Sequence, residues 1–236
     1  MTCPADSQPT PPVAWRIGHG DRPWSKPTDP AVAFLPDDWT LSQGPPTEQP
    51  SLVGARQSRG RFDDPNGEYI VLYGSTTRDG AFTESLGRGV RGSQELSPSW
   101  RIGRQASRAT LPTPMANIGS ASWLSYLTKQ LETRLALYPD IAFFDGAVLR
   151  STAHIELTQA ASRVVYSCVS DDGVRTFAGI YYQSRFGNDI DCWAVFWPPD
   201  APFNPVGFVE SLEFGNDDPD LMRACERLGM GPPPPL

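Results

Sequence analysis

The stretch Gly60–Ser85, GRFDDPNGEYIVLYGSTTRDGAFTES, decides how the rest of the chain is read. An arginine and an aromatic open it. Pro65-Asn66-Gly67 then supplies turn chemistry, because proline fixes φ while asparagine and glycine tolerate the backbone angles of tight turns. Tyr69-Ile70-Val71-Leu72-Tyr73 is a β-branched and aromatic run of strand length. A polar turn leads into a helix expected from Thr77 through Leu86, although Asp79-Gly80 weakens its start. A strand ending on an aromatic, Tyr73, therefore stands beside a helix carrying a carboxylate, Glu84, and this pairing indicates an α+β protein.

Outward from that frame the chain continues as short strands and helices. Val13–Gly18 reads as a first strand with Arg16 set among apolar neighbours, and a charge so placed is paired, exposed at an edge, or functional. Between residues 21 and 58 proline, glycine and polar residues surround isolated Trp24, Phe34 and Trp39. An irregular excursion of that length is a functional lid or an insert. A strand is expected over Ser97–Gly103. Leu124, Leu127, Leu131 and Leu135 recur at helical spacing, so a helix is expected over Ser120–Tyr138 with Ser120 or Ser122 as its cap. Leu157, Ala161, Val164 and Cys168 mark another over Thr152–Cys168. Phe177–Tyr182 and Cys192–Trp197 have the continuous apolar character of buried strands. Asp217-Asp218-Pro219 before Leu221–Leu228, with Gly229 after it, is a helix with acid and proline at its start and glycine past its end. These elements are expected to form one α+β domain over 13–230, between a disordered arm at 1–12 and a proline-rich tail at 231–236.

A chain of 236 residues with 39% hydrophobic content can bury one sizeable core. The sequence shows no run of eighteen apolar residues and no basic-then-apolar leader, so a cytoplasmic protein without membrane contact is expected. The net charge of −7 speaks against general nucleic-acid binding, since neutralising phosphates takes a basic surface. Positive charge is nevertheless concentrated between Gly54 and Arg108, where nine arginines meet six acids, leaving that segment at +3 and the remainder at −10. Eighteen of the twenty basic residues are arginine. The planar fork of arginine suits phosphate and carboxylate, although the same usage follows from genomic base composition. Cys3, Cys168, Cys192 and Cys225 are scattered without a C-x-x-C pair and are expected as reduced core thiols.

Several motifs lead nowhere. Gly87-Arg88-Gly89-Val90-Arg91-Gly92 fits the dinucleotide pattern G-x-G-x-x-G, but a helical stretch precedes it where a strand is needed, and Pro98 limits any helix after it. The two histidines, His19 and His154, have no cluster of cysteines or acids around them, so no metal site is expected. His154 reads as a capping or surface residue. A Gly-x-Ser-x-Gly elbow is absent from the sequence.

Arg16, Arg61, Tyr73, Glu84 and Ser184 remain. Each has an ordinary alternative: Arg61 as a solvated loop residue beside Asp63 and Asp64, Tyr73 as core, Glu84 on a solvated helix face, Ser184 in a turn after a strand. In combination they carry a resemblance. Trp15-Arg16, Gly60-Arg61-Phe62 with its turn, Leu72-Tyr73-Gly74-Ser75 and Ala81-Phe82-Thr83-Glu84 stand in an order similar to that of the RES-domain proteins. That family is named for an arginine, a glutamate and a serine. The order continues through Glu156–Arg163, Gly179-Ile180-Tyr181-Tyr182-Gln183-Ser184-Arg185 and Cys192–Phe196, so the resemblance runs from about residue 13 to residue 197. The chain departs from the pattern at Asp63-Asp64, where the family favours Asn and Pro, and in its longer stretch between Arg16 and Arg61.

The resemblance implies a fold related to ADP-ribosyltransferases, a mixed sheet core with flanking helices, and an NAD-degrading activity, exercised as the toxin of a bacterial toxin–antitoxin pair. It also implies an antitoxin partner with a helix-turn-helix part. NAD is then the substrate and no separate cofactor is expected. Nicotinamide leaves ribose as a neutral molecule, so the demand is for stabilising positive charge on the ribose rather than for a strong general acid. The resemblance assigns that task to Glu84, ring positioning to Tyr73, the diphosphate to Arg16 and Arg61, and the carboxamide or the acceptor to Ser184, with Arg185 as a further substrate contact. The acceptor stays open between water, phosphate and a macromolecule, the last making an ADP-ribosyltransferase. A non-catalytic NAD-binding module of the same fold is the other alternative.

Overall fold

Asp191–Trp197 forms the strand, β7, about which the sheet is ordered, and its side chains enter two cores in alternation. Cys192, Ala194 and Phe196 join one apolar cluster, while Trp193 and Val195 join another, so the strand is buried on both faces as its apolar run indicates. The computed structural model describes residues 3–8, 13–19, 60–89, 96, 100, 103–197 and 208–231. The excursion at 21–58, most of the strand expected at 97–103, the second half of the glycine motif and nearly all of the tail lie outside them. The other strands are β1 (Ser7–Gln8), β2 (Ala14–His19), β3 (Ile70–Ser75), β4 (Arg104–Ala109), β5 (Met115–Asn117), β6 (Gly179–Gln183) and β8 (Phe208–Leu212). They make one eight-stranded sheet in the order β1-β5-β6-β7-β3-β2-β4-β8. β5 and β6 are parallel and the other neighbours antiparallel, so the fold is α+β with a mixed sheet.

Six helices accompany the sheet among the described residues: α1 (Arg78–Gly89), α2 (Ala121–Gln130), α3 (Glu132–Leu135), α4 (Gly146–Arg150), α5 (Ile155–Tyr166) and α6 (Pro219–Arg227). Ser120 caps α2 through its hydroxyl, which accepts from the Trp123 amide. The helix expected over 120–138 breaks at Leu131, whose φ of −104° leaves the helical range and separates α2 from α3. α5 starts at Ile155, three residues later than expected, and His154 sits at its cap without a side-chain cap bond. Asp218 caps α6, Pro219 follows it, and Gly229 takes a φ of +67° just past the end.

The helices bury their apolar faces in two groups. Trp123, Leu127, Leu157, Ala161 and Val165 pack with Ile180, Ala194 and Phe196. Ala81, Phe82 and Leu86 of α1 meet Leu221, Ala224 and Cys225 of α6 together with Ile17 of β2. Each fully buried large side chain contributes about 1.5–3 kcal/mol, so α6 is the buttress behind α1.

Two expectations are corrected at the amino terminus. Residues 3–8 are built into the fold rather than disordered: β1 pairs with β5, and the Trp123 indole N–H donates to the Asp6 carbonyl at 2.9 Å. Cys3 and Cys168 form a disulfide rather than staying reduced, joining that segment to the end of α5. Their separation of 165 residues leaves no trace in local spacing. Cys192 and Cys225 are buried and free, as expected.

The sheet is loosest beside its middle. β3 pairs with β7 over six residues, and β2 pairs with β4 over six, but β2 and β3 share the single pair Trp15↔Ser75. The strands diverge beyond it, and the Arg16 guanidinium enters that gap to donate to the Tyr73 carbonyl at 3.2 Å.

Candidate active site

One row of the sheet forms the floor of the site. Tyr182 of β6 pairs with Cys192 of β7, Cys192 with Ser75 of β3, and Ser75 with Trp15 of β2. Residues in register share a face, and here it is the face on which α1 lies. Above the row, the Glu84 carboxylate accepts from the Cys192 thiol at 3.7 Å. The Arg61 guanidinium sits 5.0 Å from the Tyr182 ring centroid and 4.0 Å from a Glu84 oxygen. The side chains of Arg61 and Glu84 are 10% and 11% exposed, so the pair is largely shielded from water.

Arg61 arrives on the loop before β3, and hydrogen bonds from neighbouring elements fix that loop. The Arg61 guanidinium donates to the Leu149 carbonyl of α4 at 2.8 Å. Gln159 of α5 donates to the Gly60 carbonyl, and Ser162 donates to that of Phe62. The Tyr69 hydroxyl donates to Ser162 in turn. The departure Asp63-Asp64 acquires local roles. Asp63 accepts from the Gly60 amide at 2.7 Å and from the Tyr73 hydroxyl at 2.8 Å. Asp64 accepts from the Asn66 and Glu68 amides and pairs with Arg163 at 2.6 Å. Two carboxylates thus satisfy the turn's donors and clamp it to α5. A Cβ on Gly60 would overlap the Tyr73 hydroxyl, so glycine is required for this close approach.

Glu84 is held on α1 by a ridge of small residues. A Cβ on Gly80 would overlap the Ser75 hydroxyl, and one on Gly87 would overlap the Phe186 ring. Positions 80, 84 and 87 share one side of a helix. Glycine at both flanks lets α1 settle onto the floor and against the turn after β6, burying Glu84 to 9% exposure. That turn carries Ser184, whose amide donates to the Ile190 carbonyl at 2.9 Å and whose hydroxyl accepts from the Phe186 amide at 3.0 Å. Ser184 is 1% exposed and anchors the turn that Phe186 lays beside Gly87.

The structure therefore brings Arg61, Tyr73 and Glu84 into one group, with Ser184 on the turn packed against the same helix ridge. The Tyr73 hydroxyl accepts from the Phe62 amide at 3.0 Å, which couples it to the Arg61 loop. Arg16 joins through the Tyr73 backbone; by strand alternation it leaves β2 on the face opposite Trp15. Arg185 donates to the Gly87 carbonyl at 3.2 Å. Reading the sequence missed Cys192, which touches the carboxylate, and Tyr182, over which Arg61 lies. Both fall within pieces quoted for the resemblance, and the register of β6 on β7 on β3 is what assigns them. The group combines a shielded carboxylate, a guanidinium and aromatic faces, which suits a substrate that develops positive charge beside an anionic moiety. Among the described residues no group of His, Cys, Asp and Glu is arranged to hold a metal, and no helix is long and apolar enough to cross a membrane.

In comparisons with known proteins, the family model described as RES domain matches residues 37–215. The match includes Arg61, Tyr73, Glu84, Ser184 and Arg185, and leaves Arg16 and α6 outside. No curated protein and no solved structure matches the chain.

Proposed function

The chain belongs to the RES-domain family, and from that premise we propose that it consumes NAD by breaking the bond between nicotinamide and ribose. The observation that carries the reading is the shielded Arg61–Glu84 pair above the Tyr182–Cys192–Ser75 row. As the bond lengthens, positive charge grows on the ribose, and a carboxylate already oriented by Cys192 stabilises it without reorganisation. Arg61 supplies charge-assisted donors for the diphosphate, and Arg16, whose side chain leaves the opposite face of the sheet, acts by holding the Tyr73 backbone. Tyr73, tethered through Asp63 and Phe62, offers a ring edge to nicotinamide. Ser184 places the carboxamide or the acceptor, and Arg185 adds a substrate contact. The acceptor is water or phosphate, which makes the protein an NAD hydrolase or phosphorylase. Its biological role on this reading is that of a toxin held in check by an antitoxin with a helix-turn-helix part.

The test is nicotinamide release by the purified protein, with and without phosphate, and product identification by mass. ADP-ribose marks hydrolysis and its phosphorylated form marks phosphorolysis. Transfer of label from NAD to protein or nucleic acid in an extract marks the ADP-ribosyltransferase alternative. Unchanged turnover in both Glu84→Ala and Arg16→Ala removes the assignment, and tight NAD binding without any turnover favours a non-catalytic module.

A further inference from the structure

We infer that Arg227, on the last turn of α6 and outside the family match, is a positioning residue that locks the Ser184–Ile190 turn against α1. The inference rests on the reading of Glu84 and Ser184 as parts of one site. Arg227 forms a two-pronged pair with Asp189 of that turn, Nη1 to Oδ1 at 2.7 Å and Nη2 to Oδ2 at 2.8 Å. The same Nη2 lies 3.9 Å from Asp79 in the first turn of α1. One guanidinium thus faces a carboxylate on each of the two elements that meet where Phe186 packs against Gly87.

Two further features point the same way. Gly187 leaves room for the pair, because a Cβ there would lie 2.5 Å from an Asp189 oxygen and 2.7 Å from an Arg227 nitrogen. At the opposite end of α6, Asp218 and Asp220 hold Arg78 at 2.6 and 3.1 Å. The helix therefore grips α1 at its start through Arg78 and grips the turn through Arg227. The hydrogen bond from Arg227 also holds the Asp189 carboxyl below its usual range.

The Ser184 amide and hydroxyl are both engaged within this turn, so slack at Asp189 becomes displacement of Ser184 relative to Glu84. Side chains 28% and 65% exposed contribute little to global stability when paired. Catalytic geometry is more sensitive, and a misplacement of about 1 Å costs up to about 100-fold in rate. Loss of the pair is thus expected to separate activity from stability.

The experiment uses the full-length protein with Arg227→Ala, Asp189→Ala, the double variant and Arg227→Lys, read by amide hydrogen exchange and NAD turnover. In Arg227→Ala, exchange across 184–190 is expected to accelerate about fivefold or more, with α5 unaffected. Turnover is expected to fall about tenfold in kcat, with KM within about threefold and the melting midpoint within about 3 °C. The double variant should be no slower than Asp189→Ala, as for residues acting through one contact, and Arg227→Lys should recover part of the rate. Unchanged exchange in the turn, or losses that multiply in the double variant, overturns the inference. A wild-type protein that leaves NAD intact removes the catalytic reading instead, and the tether is then decided by the exchange data alone.

Discussion

Arg61 and Glu84 approach to 4.0 Å from the two ends of β3 in the chain, one on the loop that precedes the strand and the other on the helix that follows it. Their largely shielded charges make the two residues separable by mutation. Glu84→Gln keeps the shape and removes the charge, so NAD turnover is expected to fall about 10²- to 10³-fold with the fold intact. Arg61→Ala leaves a shielded carboxylate without its counter-charge and is expected to cost about 3 kcal/mol of stability as well. Combining the two should restore much of that stability while leaving the enzyme inactive. Denaturant titrations beside nicotinamide release check all three; equal stability in Arg61→Ala and the double variant excludes the coupling.

Gly87→Ala sets helix propensity against packing. Alanine is favoured over glycine inside a helix by about 1 kcal/mol, yet the new methyl overlaps the Phe186 ring beside Ser184. The overlap outweighs the propensity gain, so the expected outcome is a melting temperature unchanged or lowered, with turnover reduced about tenfold as the turn shifts. A variant that keeps full activity shows that Phe186 does not set the turn's position.

The strand and helix around Tyr73 and Glu84 were legible because β-branched spacing, turn residues and helical period agree there. The two ends of α6 were legible for the same reason, through Asp218, Pro219 and Gly229. β4 was not, because Arg104–Ala109 reads RQASRA, a polar run that acquires its place between β2 and β8 through small buried residues such as Ala106, Ser107 and Ala109. Glu84 illustrates the limit most clearly. A helical glutamate is ordinarily solvated, and this one is enclosed because Gly80 and Gly87 remove the side chains that would otherwise hold α1 off the sheet. Cys192 and Arg227 escaped notice because their partners come from register and from helix docking, neither of which is written in local sequence.

Tyr69 gives a pH dependence with a definite sign. Burial is the main cause that raises its pKa above the ordinary 10, so the folded state keeps the phenol proton more tightly than the unfolded chain does. Its stabilising contribution is complete below about pH 10 and is lost as pH rises from there through the folded value. Ionisation ends the donation to Ser162, which itself holds the Phe62 carbonyl and hence the Arg61 loop. Tyr69→Phe is therefore expected to cost about 1 kcal/mol at neutral pH and to flatten the alkaline loss of stability. Denaturant midpoints at pH 7, 9 and 11 compare the two proteins; parallel curves refute the assignment.

The Cys3–Cys168 disulfide closes a loop of 165 residues and fixes the segment whose strand β1 pairs with β5. A covalent closure of this kind typically contributes about 2–4 kcal/mol, largely by limiting the unfolded chain. Reductant is expected to lower the denaturation midpoint of the wild-type protein by that amount and to leave Cys3→Ser, already lowered, unmoved. The Arg61 loop, α1 and the Ser184 turn are held by their own hydrogen bonds and ion pairs, so turnover in native buffer should change less than about twofold. Thiol titration closes the test. Cys192 and Cys225 are buried, and burial raises the Cys225 pKa, so both should resist modification in the folded protein. Reduction should then expose Cys3 as a reactive thiol. A fast-reacting thiol without reductant, or a midpoint indifferent to it, contradicts the bond.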